Sequence, residues 1–94
     1  MNTDIIYKYT VPFDREGIWV PEGQIVLVDS QDGDAVCVWV LHTIAERAEQ
    51  QLKIIGTGQM VEVAYDHVGS VVVKPFVWHV FRTGSRVIGG VTRG

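Results

Sequence analysis

Ninety-four residues suffice for one small domain and exclude a two-domain enzyme, because single cores usually sit in chains of roughly 50 to 200 residues. Hydrophobic residues make up 47% of the chain and charged residues 20%, a globular composition far from that of a disordered polymer. The net charge of −3 argues against nucleic acid as a general partner, and a single cysteine, Cys37, excludes an internal disulfide and a multi-cysteine zinc site.

The longest apolar runs, 25–28 and 35–41, fall short of the ~18 residues a membrane span needs, and no basic segment leads into an apolar one at the N-terminus. The expectation is a soluble protein of a bacterial cytoplasm. Charge is divided along the chain. Residues 1–66 carry all eleven acids and four bases, whereas 67–94 carry four bases (Lys74, Arg82, Arg86 and Arg93) and no acid.

Residues 4–11 alternate Ile5, Tyr7 and Tyr9 against Ile6, Lys8 and Thr10, the pattern of a strand with one dry face. Pro12 to Gly17 break it, Ile18-Trp19-Val20 form a short strand, and Pro21-Glu22-Gly23 turn the chain. Residues 24–30 and 35–41 flank Asp32-Gly33, the strongest hairpin signal in the sequence. In the second arm Val36, Val38 and Val40 oppose Cys37, Trp39 and Leu41, so both faces are apolar and a central, doubly covered strand is expected. Thr43 and Glu46 have the spacing of a capping box, which predicts one short helix over residues 44–50.

Lys53-Ile54-Ile55 return to strand and stop at Gly56-Thr57-Gly58, and residues 59–67 fit either a strand or an ordered loop. Residues 69–82 read as one long strand or as two divided near Pro75, which cannot donate to a sheet ladder. From Thr83 onward four glycines with serine and threonine leave little to bury, so a domain of residues 1–82 and a flexible basic tail of 83–94 are expected. The fold class is therefore all-β, or β-rich α+β: a small antiparallel sandwich or partly open barrel of about six strands with one short helix. Val38, Trp39, Val40, Ile54, Trp78 and Val80 form its expected core.

The chemistry-bearing residues are sparse. His42, His67 and His79 have no zinc-motif spacing, so no metal is expected, and no cofactor motif is present. Cys37 lies in an apolar run, the setting of an inert buried thiol. Ser30 or Ser70 with His67 or His79 assembles a triad only on paper, because no serine occupies a Gly-x-Ser-x-Gly elbow. No catalytic residue is assigned, and the protein is expected not to be an enzyme. The candidate binding residues are Trp19, an aromatic on a short strand between turns; the amides of Gly56, Thr57 and Gly58, suited to an anion; His67, expected at the surface; and the late arginines Arg82 and Arg86.

Ile6-Tyr7-Lys8-Tyr9, Val20-Pro21-Glu22-Gly23, Trp39, Ile55-Gly56-Thr57-Gly58 and Phe76-Val77-Trp78-His79-Val80-Phe81 together resemble a family of small bacteriophage and prophage proteins of uncharacterised function. The family often continues Gly-Thr-Gly with histidine, where this chain has Gln59, and usually ends soon after the last aromatic. The resemblance implies a phage origin and a small all-β fold, and it brings no activity with it. The function expected is that of a non-enzymatic accessory protein that binds and modulates a host protein, in takeover or anti-defence. The alternative is an oligomeric sponge for a small anionic, nucleotide-type signal. Uncovered sheet edges, together with the charge division, predict a homodimer with Trp19 or the last strand near its interface.

Overall fold

Seven strands follow one another along the chain in this computed structural model, which describes residues 3–88. They are β1 (Asp4–Val11), β2 (Ile18–Pro21), β3 (Gln24–Gln31), β4 (Ala35–Thr43), β5 (Ala48–Gly56), β6 (Asp66–Val73) and β7 (Phe76–Val87). All pairing is antiparallel, in a three-stranded sheet of order β1-β4-β3 and a four-stranded sheet of order β2-β5-β7-β6. The two sheets remain separate and pack as a small sandwich, with no helix among the described residues.

Alternation fixes what lies between the sheets. Val36, Val38 and Val40 of β4 point inward and are fully buried, meeting Val11, Val20, Leu52 and Val80 in one cluster. Ile54 and Trp78 pack against that cluster while partly exposed. Trp39, expected in the core, instead shares the outer face of its sheet with Lys8 and Leu27, its cross-strand partners. The reason is strand parity: once the β4 valines face inward, Trp39 must face outward.

The β3–β4 hairpin forms as its sequence requires. Asp32 and Gly33 both take positive φ (57° and 76°), the signature of a type I′ turn, whose twist matches that of the strands it joins. Pro75 lies in the two-residue turn between β6 and β7, whose last and first residues, Val73 and Phe76, pair across it. Residues 59–65 are a loop, with Met60 and Val63 exposed.

The expected helix over 44–50 is absent. After a turn closed by Glu46 N–H donating to the Thr43 carbonyl, the chain enters β5 at Ala48, and Gln50 and Leu52 alternate into the core. Gln50 is fully buried, and its carboxamide donates to the carbonyls of Pro21 (3.1 Å) and Gly23 (3.2 Å). A two-turn helix is marginal alone, whereas the sheet buries Leu52 and satisfies Gln50 with distant partners.

The expected boundary at residue 82 also moves. Thr83 to Val87 continue β7, pairing with β5 through a bulge at Gln51/Leu52, and Arg86 forms an ion pair with Glu49 at 2.8 Å. Residues 89–94, the remainder of the expected tail, lie outside the described residues. Backbone pairing with β5 supplies what the small side chains of this segment lack. Leu52→Ala, which empties the centre of the core, is expected to cost about 2 to 5 kcal/mol and to lower the melting temperature by about 4 to 8 °C per kcal/mol. Thermal unfolding followed by circular dichroism measures both.

Candidate functional site

One end of the sandwich collects the Pro12–Gly17 connection, the Asp32-Gly33 turn, the Lys74-Pro75 turn and the Gly56–Gln59 turn. Here Trp78, partly buried against the core, has Phe13 edge-on at 5.0 Å and Phe76 edge-on at 5.7 Å. Phe13 is 50% exposed and Phe76 58% exposed, so their rings cover the indole while keeping a large share of their own surface in water. A shallow cleft of about 380 Å³ opens between these rings and Val73, Pro75 and Lys74. A second cleft, about 220 Å³, lies on the other side of Phe76 and Trp78 and is closed by Gly56, Thr57 and Gln59.

The Gly56–Gln59 turn is shaped by its glycines. Gly58 has φ +92°, a conformation that side chains rarely adopt, and a Cβ on Gly56 would lie 3.1 Å from Trp78 Cζ3. The Gly56 N–H donates to Gln59 Oε1 and the Gln59 N–H donates back to the Gly56 carbonyl. The Gly56 amide, expected to face an anion, is thus occupied by the side chain of Gln59.

Thr57 leads into a chain of hydrogen bonds over the outer face of the larger sheet, and the direction of that chain follows from counting protons. Thr57 Oγ1 donates to the Val77 carbonyl at 3.2 Å, so it accepts from His79 Nε2–H at 2.9 Å. His79 Nδ1 then carries the lone pair and accepts the Ser70 hydroxyl proton at 2.7 Å, while Ser70 Oγ accepts from His67 Nε2–H at 2.9 Å. The His67 ring also meets the Phe81 ring at 5.2 Å. Ser70 and His79 are direct cross-strand partners, which is how the fold joins two residues nine apart in sequence.

A serine hydroxyl aimed at an imidazole has the outline of a nucleophile and its base, but its third partner differs from that of a hydrolytic triad. The partner behind His79 is the neutral hydroxyl of Thr57, whereas a carboxylate in that place of a hydrolytic triad is worth roughly ten-thousand-fold in turnover. The Ser70 oxygen is itself held as an acceptor by His67. These bonds tie Thr57, and with it the turn that walls the second cleft, to β7 and β6.

The remaining candidate residues lie elsewhere. Trp19, on the outer face of β2, is capped by the Arg86 guanidinium at 4.1 Å from its ring, with Glu49 pairing the same arginine. Gly56 pairs with Trp78 and Glu49 pairs with Arg86, so this cluster stands about 27 Å along β7 from the Thr57 turn at ~3.4 Å per residue. Arg82 bridges Asp66 (3.2 Å) and Glu22 (3.8 Å). Thr57 and His67 are therefore brought together, Trp19 joins Arg86, and Arg82 forms a third group. Phe13 and Phe76 were not among the candidate residues, and the sequence signal that marks them is position: each directly borders a proline at a strand end.

Among the described residues no group of three or more His, Cys, Asp or Glu is placed to hold a metal ion, and no helix is long and apolar enough to cross a membrane. The fold and this end of it define a small β-sandwich with an exposed aromatic cleft. The chain belongs to the family of the domain of unknown function DUF7352, whose family model matches residues 2–88. No curated protein and no solved structure matches it.

The proton count gives a direct expectation: His79 is the Nε2–H tautomer, with an unprotonated Nδ1, at a pH where it is neutral. Two-dimensional ¹⁵N correlation of the imidazole nitrogens reads this. Ser70→Ala is expected to shift the His79 Nδ1 resonance, and a His79 Nδ1–H tautomer in the intact protein would reverse the direction of the chain.

Proposed function

We propose that this protein is a non-enzymatic, phage-encoded accessory module that binds and modulates a host protein in the bacterial cytoplasm, in takeover or anti-defence. The observation that carries the reading is the aromatic group Phe13-Trp78-Phe76, whose edge-on rings border two clefts while Phe13 and Phe76 stay half exposed. Aromatic anchors on a rigid support dominate protein-binding energetics, because a ring with few rotatable bonds buries large area at small entropic cost. Lys74 beside the first cleft adds a charged rim that favours an acidic or amide-rich partner segment. The phage origin rests on the sequence resemblance.

The alternative, capture of a small anionic signal, has weaker support, since the Gly56 amide is taken by Gln59 and both Arg82 and Arg86 have carboxylate partners. The binding reading is tested by isolating a saturable partner from host lysate and measuring its affinity by calorimetry. Phe76→Ala, which removes a ring already 58% exposed, is expected to weaken binding by about thirtyfold, the effect of a hot spot worth about 2 kcal/mol. Val63→Asp, on the exposed 59–65 loop, is expected to bind as the parent does. Parent-like affinity of Phe76→Ala would remove the aromatic cleft from the interface.

A further inference from the structure

A sheet edge offers unpaired N–H and C=O groups to any other strand, and folded proteins guard such edges with short strands, prolines, bulges or covering elements. This sandwich has four edges, β1 and β3 in one sheet and β2 and β6 in the other. β2 has only four residues and ends in Pro21. β3 is bulged between Ile25 and Leu27, and β6 between His67 and Gly69. These two also pack against each other so closely that a Cβ on Gly69 would lie 2.8 Å from Val28 Cγ2.

β1 differs on every count. Its eight residues pair with β4 in unbroken register from Asp4 to Val11, its proline neighbour falls after the strand, and Ile6 and Tyr7 are each 53% exposed. Its last strand-edge device is Lys8, whose ammonium donates one proton to Gln31 Oε1 and keeps two free.

We propose that β1 is a self-pairing edge that joins two copies of this chain across a twofold axis through Ile6, forming a continuous six-stranded antiparallel sheet. The occupant is set by the strand's own complementarity. Antiparallel pairing about Ile6 places Asp4 opposite the partner's Lys8 and Lys8 opposite the partner's Asp4, with the two Ile6 side chains facing each other between these pairs. All of these lie on the outer face of the sheet, since Ile6 and Lys8 share that face with Leu41 and Trp39. On the inner face Ile5 meets the partner's Tyr7, covering a ring that is half exposed in one copy. Centring the axis on Lys8 instead would oppose two ammonium groups, and centring it on Tyr7 would set each Ile6 against a lysine. A half-residue centre would mismatch the outward-facing amides and carbonyls. The Ile6 register alone pairs opposite charges and joins apolar side chains.

This surface is separate from the aromatic cleft. Phe13 lies seven residues beyond Ile6, so the two clefts of such a dimer sit roughly 45 to 50 Å apart at its opposite ends, at ~3.4 Å per residue.

The test uses the full chain and sedimentation equilibrium from micromolar to near-millimolar concentration. The parent is expected to dimerise, and Asp4→Lys or Lys8→Asp alone to weaken the dimer by about tenfold, because two attractive cross-strand pairs become repulsive. The double variant Asp4→Lys with Lys8→Asp is expected to restore parent affinity, which a merely structural role for either side chain would not produce. Ile6→Cys is expected to form an intermolecular disulfide on mild oxidation, whereas Thr10→Cys, far from the axis, is not; the natural Cys37 is buried. A monomer at every concentration overturns the proposal, as does a dimer indifferent to charge reversal, a double variant that remains weak, or cross-linking that favours Thr10→Cys.

Discussion

The inward row of valines on β4 is the constraint on which the rest of the structure depends. Val36, Val38 and Val40 are fully buried, and the buried residues that meet them are short or branched, among them Val11, Val20, Leu52 and Val80. With a core this thin, strand parity is strict, because a slip of one residue in β4 would exchange three valines for Cys37, Trp39 and Leu41 and separate the sheets. That parity sends Trp39 outward, and through the pairing with β1 it also decides that Ile6 and Lys8 share the outer face.

Where local chemistry and tertiary pairing agree, the sequence is readable. The Asp32-Gly33 turn carries its own conformational demand, and the valine alternation of β4 carries its own facing, so the hairpin follows from a dozen neighbouring residues. Residues 44–50 show the opposite case. Their helix-forming side chains and capping-box spacing are real local preferences, but the carbonyls that satisfy Gln50 belong to Pro21 and Gly23, more than 25 residues away. Thr83 to Val87 read as a tail for a similar reason: nothing in Thr-Gly-Ser-Arg-Val announces a strand until β5 lies beside it.

The site was less legible than the fold, because its members are drawn from turns that only the sandwich brings together. Phe13 and Phe76 border prolines in separate connections, and neither position reveals that the indole of Trp78 lies between them. His79 and Ser70 belong to alternating strands whose facing could be read, but their contact depends on the register set by the Lys74-Pro75 turn, and His67 reaches the face of Ser70 only because of the bulge between His67 and Gly69. Trp19, a candidate anchor, and Arg86, a candidate binding arginine, are far apart in sequence, and the fold joins them to each other.

On the binding reading proposed above, the aromatic end and the valine core divide the apolar surface of the chain between recognition and folding. A domain of this length has a total stability of about 5 to 15 kcal/mol, and fully burying one Phe contributes about 1.5 to 3 kcal/mol. Leaving Phe13 and Phe76 half exposed therefore withholds from folding an amount that matters to so small a protein. Polar groups are fixed elsewhere in the domain: Gln50 inside the core, and the Thr57-His79-Ser70-His67 chain across the outer face. That chain ties the Gly56–Gln59 turn to β7, and β7 is the strand from which Trp78 and Phe76 project. The rings are thereby held on a support that is already ordered, so under the proposed binding function their burial by a partner would go into affinity with little ordering cost to set against it.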